Sequence, residues 1–452
     1  MKNILSFLGI DRAVAYTLLG RGWSSLAGLI TLWFIAKSLT LSEQGFYYTF
    51  SSIIALQIIF ELGMSYVVMQ FASHEMVKLR WTKQGILDGD DYAKGRIRSL
   101  LSLVLKWYSV VALLIVFVVF PAGWIFFSKN DHGGDVSWRF PWLFLNFMAA
   151  LNIIILPVLA ILEGCGRIAD VARMRMLQGI TGSIFAWITL SAGGGLFSMP
   201  VLNAMSVLVA LIWFWKGYYN FFKDLKTSHL NSEVSWKKEI WPFQWKIALS
   251  WLSGYFILQL FVPLLFSYHG AKEAGQMGMS MSIVGAISSI SIAWINTKAP
   301  VFGNLIALKS YRELDILFSK ILKQSLVVVA LGGLTAIGLK CGLTYTGSNF
   351  SERLLPIFPF TILVLITIIN HLVFAEAIYL RSHKKEPFMW MSLAIGSGVC
   401  LSAVYFGREY AATGMMLGYF TVSIVGLIWG TMIFYKKKSE WHMAEVSNKM
   451  KI

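Results

Sequence analysis

Four ionisable residues sit inside apolar runs, at positions suited to grip an anionic headgroup or pass an ion. Arg21 is followed at i+4 and i+7 by Ser25 and Gly28, which makes one small, polar helix face. A guanidinium there offers a fork of donors matched to phosphate. The plain alternative is an arginine snorkelling to the headgroups, or one held in a structural ion pair. Lys298 stands in WINTKAP, 294–300, where Ser291, Trp294 and Lys298 share a helical face and Pro300 would kink or end the ladder. An indole beside an ammonium suits a sugar phosphate, the ring stacking on the sugar and the cation pairing with the phosphate. Snorkelling is again the alternative, since Lys309 and Arg312 mark that end of the run. Glu61, with Gln57 and Ser65 one turn either side, is placed to partner Arg21 or to carry a proton in a coupled cycle. A permanent structural pair would look the same. His371, beside Asn370 and Thr367, is a proton-relay candidate whose commoner reading is a satisfied packing histidine. Arg12 and Lys246, at predicted cytoplasmic mouths, would attract an anionic headgroup, although the charge bias of cytoplasmic loops alone explains them. Glu376, Glu163 and Lys106 fall near span ends and read as interfacial.

What must position these groups is a membrane-spanning scaffold. The 452-residue chain is 57% hydrophobic and 14% charged, with a mean hydropathy of +0.65. Apolar runs of about 20 residues recur throughout, each long enough for a hydrocarbon core about 30 Å thick. The short alternating segments of a transmembrane barrel are absent. Twelve helical spans are predicted, at 14–37, 45–72, 99–127, 140–163, 174–196, 200–222, 246–268, 275–306, 317–341, 354–378, 388–406 and 411–435. About 29 of the 39 Lys and Arg fall on one side of these spans and about 7 on the other, so both termini are expected to face the cytoplasm. That asymmetry accounts for the net charge of +16 without nucleic acid. MKNILSFLGIDRA reads as a short amphipathic helix rather than a cleaved signal.

The sequence also divides in two. A connector at 223–245 separates six spans, 1–222, from six more, 246–435, and a basic tail, 436–452, follows. Glu43-Gln44-Gly45 after the first span has an echo 230 residues later in Glu273-Ala274-Gly275 after the seventh. An even number of spans per half implies parallel repeats about an axis along the membrane normal. Thr40-x-x-Glu43 has capping-box spacing, and Gly45 would let two helices approach closely.

Several chemistries find no support. There is no phosphate-loop signature, no H-E-x-x-H and no Cys/His metal spacing. Cys165, Cys341 and Cys400 are scattered and read as packing residues. Asp88-Gly-Asp-Asp91, which evokes metal-binding carboxylates, lies among basic residues and reads as a solvated turn.

LSEQGFY after span 1, Arg12 and Arg21 around it, and WPFQWKIALSW, 241–251, entering span 7 resemble a known group. It is the oligosaccharide flippases of the multidrug/oligosaccharidyl-lipid/polysaccharide exporter superfamily, of the O-antigen or capsule type often called Wzx. The resemblance covers the chain as twelve spans in two six-helix lobes. It implies an all-α polytopic membrane protein whose two lobes, related by pseudo-two-fold symmetry, form a V-shaped alternating-access cavity. It also implies a bacterial inner-membrane location and movement of undecaprenyl-diphosphate-linked sugar repeat units. The implied partners are that lipid-linked oligosaccharide, the phospholipid membrane, a polysaccharide polymerase and a chain-length regulator. No cofactor is expected, though proton or sodium coupling is compatible, and the chain is expected not to be an enzyme. On this reading Arg21, Lys298, Trp294, Ser25, Arg12 and Lys246 bind substrate, and Glu61 and His371 are coupling candidates. A multidrug antiporter of the same superfamily is the alternative, with an acid-rich cavity for organic cations. A membrane polysaccharide polymerase or ligase is a third reading, disfavoured by the short outer loops.

Overall fold

A computed structural model describes residues 12–57, 61, 64–131, 134–227, 234–241, 259–383 and 385–449. The chain divides into two compact units, Met1–Tyr255 and Phe256–Ile452. Among the described residues, eight helical stretches are long and apolar enough to cross a membrane. The protein is an all-α polytopic membrane protein.

Unit 1 begins with α1 (Arg12–Ser38), α2 (Leu41–Ile54) and α3 (Met64–Met76). A small hairpin, β1 (Leu79–Trp81) with β2 (Leu87–Gly89), leads into α4 (Asp91–Leu114). A π-helical turn over Ile115–Val119 joins α4 to α5 (Phe120–Asn130). Then come α6 (Arg139–Gly164), α7 (Ile168–Ser191), α8 (Ser198–Gly217) and the short α9 (Tyr219–Thr227). Helix α6 packs against α3, α4 and α8, and α7 lies between α1 and α8. Helix α7 spends polar side chains on these two neighbours, while Phe185 and Ile188 on its other side stay exposed. Gln178 donates to the Ser206 carbonyl at 2.8 Å, and Trp23 and Trp187 donate to Ser183 and Thr31 at 3.0 and 2.8 Å. With those bonds made inside protein, α7 does not need to be among the eight most apolar stretches.

The start of α2 follows the expected chemistry. Thr40 Oγ1 accepts from the Glu43 N–H at 3.1 Å, and Glu43 Oε2 accepts from the Thr40 N–H at 2.8 Å, a complete capping box. The aromatic residues behind it have a packing role. Phe46 and Phe50 are buried against Phe127, Trp138 and Trp142. Gly123 opens space for that cluster, since a Cβ there would lie 2.1 Å from the Trp142 ring.

The Asp88–Asp91 run is structural. Asp88 pairs with Arg80 across the hairpin at 2.9 Å, and Asp90 caps α4 by accepting from the Ala93 N–H at 3.2 Å. No group of acids, histidines or cysteines able to hold a metal occurs among the described residues. The three cysteines are unpaired.

Unit 2 contains α10 (Phe261–His269), α11 (Ala271–Asn296), α12 (Ala299–Ala307), α13 (Tyr311–Tyr345), α14 (Ile357–Ser382) and α15 (Met389–Lys449). The helix starts repeat at the expected offset, because α2 begins at Leu41 and α11 at Ala271, and Gly45 and Gly275 are both buried. The caps differ: Gly270, at φ 89°, takes the place of Thr40 and gives no side-chain bond.

Helix α15 carries two predicted spans. Its apolar stretch, Met389–His442, would run ~80 Å if straight, far beyond one bilayer. It breaks at Tyr410 and Ala411, where φ reaches 49°, and folds back on itself. Gly418 meets Ser402, Gly426 meets Ile395 and Gly430 meets Met391, the pairing of an antiparallel hairpin. The predicted tail continues this helix and docks. His442 stacks on Tyr311 with ring centroids 4.1 Å apart, and Lys438 pairs with Asp315 at 2.9 Å.

Candidate functional site

Helix α1 shows two faces. Gly20, Trp23, Thr31 and Phe34 pack on α7, with Phe34 and Trp187 stacked at 5.7 Å. Arg21, Ser25 and Gly28 lie about a third of a turn away. Arg21 and Gly28 are exposed, and nothing approaches within 4 Å of a Cβ placed on Gly28. The Arg21 side chain has no ion pair among the described residues. Ser25 spends its hydroxyl proton on the Arg21 carbonyl at 3.1 Å and keeps its lone pairs for a donor. Arg12, on the same helix, is exposed.

Glu61 belongs to a different group. Ser65 Oγ donates to Glu61 Oε1 at 2.7 Å and lies 3.1 Å from the Tyr108 hydroxyl of α4. Tyr108 is fully buried. The carboxylate is thus tied to a tyrosine 47 positions along the chain, not to Arg21. Sequence alone gave no sign of Tyr108, because the link depends on α3 packing against α4.

In unit 2 the ladder breaks where the proline predicted. α11 ends at Asn296, Lys298 has φ −103°, and Pro300 sits in the first turn of α12. Lacking an N–H, proline is tolerated there. Trp294 and Lys298 are exposed around this break, with Trp294 43% accessible, and Lys298 has no ion pair among the described residues. Ser291 does not join them. It is buried, and its hydroxyl donates to the Ile287 carbonyl at 2.8 Å. The expected shared face fails within α11 itself, where packing buries Ser291 and leaves Trp294 exposed, and the helix ends before Lys298.

His371 is buried, with Nε2 2.9 Å from Ser325 Oγ, while Nδ1 has no partner among the described residues. Asn370 donates to the Tyr419 hydroxyl at 2.8 Å. Glu376 corrects the interfacial reading: it is 8% exposed, and Thr431 of the α15 hairpin donates to its two oxygens at 3.0 and 3.3 Å. No basic residue pairs with it among the described residues. Its Thr431 partner lies 55 positions away, a juxtaposition that only the packing of α14 on α15 creates. Lys340, also unforeseen, is buried near the end of α13 and donates to the Ser351 carbonyl and hydroxyl at 2.7 and 2.9 Å. Glu163 is half-buried and pairs with Arg175 at 3.3 Å. Lys246 and most of 241–251 lie outside the described residues.

Each unit therefore presents an exposed cation, Arg21 on α1 and Lys298 between α11 and α12, and an acid hydrogen-bonded to a hydroxyl elsewhere. This arrangement can hold a phosphate and can keep a carboxylate in a sheltered place. Solved structures align along nearly the whole chain. An inward-facing multidrug resistance MATE family transporter of the MOP superfamily matches with TM-score 0.61 and 16% identity, over 92% of this chain and 99% of that one. The lipid II flippase MurJ, in an inward closed conformation, matches with TM-score 0.62 and 13% identity, over 95% and 90%. The MATE multidrug transporter DinF-BH matches with TM-score 0.60 and 12% identity, over 93% and 94%. The chain has the fold of these transporters. No family model matches it, and no curated protein does.

Proposed function

We propose that this protein flips undecaprenyl-diphosphate-linked oligosaccharide repeat units across the bacterial inner membrane by alternating access, for O-antigen, capsule or exopolysaccharide assembly. The observation that carries the proposal is the pair of exposed cations, Arg21 on α1 and Lys298 at the break within the apolar stretch 271–307, neither ion-paired among the described residues. A charge placed in an apolar span costs about 2–3 kcal/mol or more, so an unpaired one calls for a ligand or a watery cavity. A lipid diphosphate carries the anion that a guanidinium or an ammonium would each hold. Trp294, exposed beside Lys298, offers a ring for a sugar, and the lipid tail needs only the bilayer. Both termini face the cytoplasm on this reading, where Arg12 and Lys246 help draw in the headgroup. A polymerase and a chain-length regulator would take the product. The MurJ match adds support, since that protein is a lipid II flippase of the same fold.

The multidrug reading draws on the acids. Glu61 and Glu376 are bonded to hydroxyls rather than cations among the described residues, as a site for an organic cation or an exchanged proton would require. One experiment separates the two. Vesicles holding the full-length protein are assayed for flipping of a labelled lipid-diphosphate oligosaccharide and for efflux of a cationic dye. On the flippase reading, Arg21→Ala and Lys298→Ala each slow flipping about tenfold, the equivalent of ~1.4 kcal/mol, and dye efflux is absent. Flipping by both variants at the parent rate would overturn the reading. Dye efflux that Glu61→Gln or Glu376→Gln abolishes would establish the other.

A further inference from the structure

The predicted connector carries a segment, 234–241, that is fastened to α4 within unit 1, and the fastening encloses a groove. Residues 234–241 run along the first half of α4. The Val234 N–H donates to Ser99 Oγ at 3.0 Å. Arg96 is gripped from both sides, by Glu75 at 2.6 Å and by Glu239 of the connector at 2.5 Å. Trp236 lies over Trp107 with ring centroids 5.0 Å apart and planes at 33°. Between the connector and the helix is a groove of about 490 Å³, lined by Ser99, Ser102, Lys106, Trp107, Val110 and Trp236 among others.

The lining is sorted by helical spacing. Ser99, Ser102 and Lys106 fall at i, i+3 and i+7 and form a polar edge. Trp107 and Val110 form the apolar edge, and Trp236 closes the groove. Val110 is 50% exposed, so that edge opens toward lipid. Lys106 differs from the other cation on this helix. Arg96 has two carboxylates, whereas Lys106 has no ion pair among the described residues and is exposed. It also lies ten residues further along α4, ~15 Å deeper at the helical rise. A lysine stem reaches only part of that distance, so snorkelling does not return the ammonium to the ion-paired end. The indole N–H of Trp107 is buried without an acceptor among the described residues.

We propose that this groove is a binding site for an anionic phospholipid. The headgroup phosphate sits on Lys106 with the Ser102 hydroxyl, the two indoles flank the glycerol level, and an acyl chain leaves past Val110. The combination of a cation, hydroxyls, paired indoles and an open apolar edge is the chemistry of a membrane interface rather than of a soluble anion site. Because Trp236 belongs to the connector, the lipid would also hold that segment against α4. This inference does not depend on what the chain transports.

The test is native mass spectrometry of the full-length protein in detergent, titrated with phosphatidylglycerol or phosphatidylcholine. The parent should retain phosphatidylglycerol in preference to phosphatidylcholine. Lys106→Ala should weaken phosphatidylglycerol binding about fivefold, while Lys320→Ala, an exposed lysine of unit 2, leaves it unchanged. Trp107→Phe, which keeps a ring and loses the donor, should weaken it less. Equal retention of the two lipids, or parent-like binding by Lys106→Ala, would overturn the site. Displacement by inorganic phosphate at equal concentration would show a free-anion site instead and would likewise overturn it. Thermal midpoints equal to the parent's establish that each variant is folded.

Discussion

Lys340 and Lys298 are both lysines at the ends of apolar runs in unit 2, yet the structure treats them oppositely. Lys340 is buried, and the 3-10 turn around Ser351 gives it two acceptors. Lys298 is exposed at a helix break with no ion pair among the described residues. A cation satisfied by its own protein holds a loop in place, whereas an exposed one is left to water, headgroups or a ligand. The same division, between a cation paired by its own protein and one with no ion pair among the described residues, separates Arg96 from Lys106 in unit 1.

The largest expected effect tests the scaffold side. Lys340→Met removes two hydrogen bonds from a charged donor and leaves Ser351 without them. It should destabilise the protein by about 2 kcal/mol, read as a lower thermal midpoint. Arg21→Ala and Lys298→Ala should stay within about 0.5 kcal/mol of the parent while losing transport. If Lys298→Ala costs as much stability as Lys340→Met, the division between held and free cations breaks.

Glu376 sharpens the comparison from the acidic side. It is buried with the Thr431 hydroxyl as its hydrogen-bond partner among the described residues, and an uncompensated buried charge is costly. Glu376→Gln keeps an acceptor for Thr431 and removes the charge, so stability should hold or rise by up to about 1 kcal/mol. A marked fall in the thermal midpoint would mean that the carboxylate is a scaffold ion after all.

The smallest expected effect concerns the connector. The Arg96 guanidinium, with help from the Ser235 N–H, holds the Glu239 carboxyl below the usual carboxylate range. A carboxyl with a depressed folded-state value contributes stability above its unfolded value, about 4.3, and loses it as pH falls through the folded value. Amide hydrogen exchange over 234–241, corrected for intrinsic rates, should therefore speed up only below about pH 4. Glu239→Gln should raise exchange modestly at pH 7, since the pair is partly exposed. Unchanged exchange in that variant would assign the fastening to the Trp107–Trp236 contact alone.

Much of the scaffold could be read along the chain. Apolar runs of about 20 residues located α1, α6, α8, α13 and α14, because bilayer thickness imposes that length. The capping box and the equal placing of Gly45 and Gly275 were legible because helix starts are set by residues within one turn. Pro300 announced the break beside Lys298 for the same local reason.

The site was less legible. Arg21, Lys298 and Trp294 could be named as charged or aromatic residues out of place, but exposure is a property of neighbouring helices. Ser291 joined the expected face by spacing alone, but packing buries it while Trp294 in the same helix stays exposed, and the helix ends before Lys298. Glu376 looked interfacial until α15 folded back and brought Thr431 against it.

Hydrophobic length, and hydrogen bonds that close within one turn, are enough to make this chain a bundle of membrane helices and to set where most of them start and stop. Both are written locally, in the order of the residues. Which charges are spent is decided by packing alone. Tyr108 next to Ser65 and Glu61, Ser351 under Lys340 and the connector over Lys106 are meetings of residues from different elements. Whether a buried polar group is satisfied depends on what packs against it, and that partner is fixed by the fold.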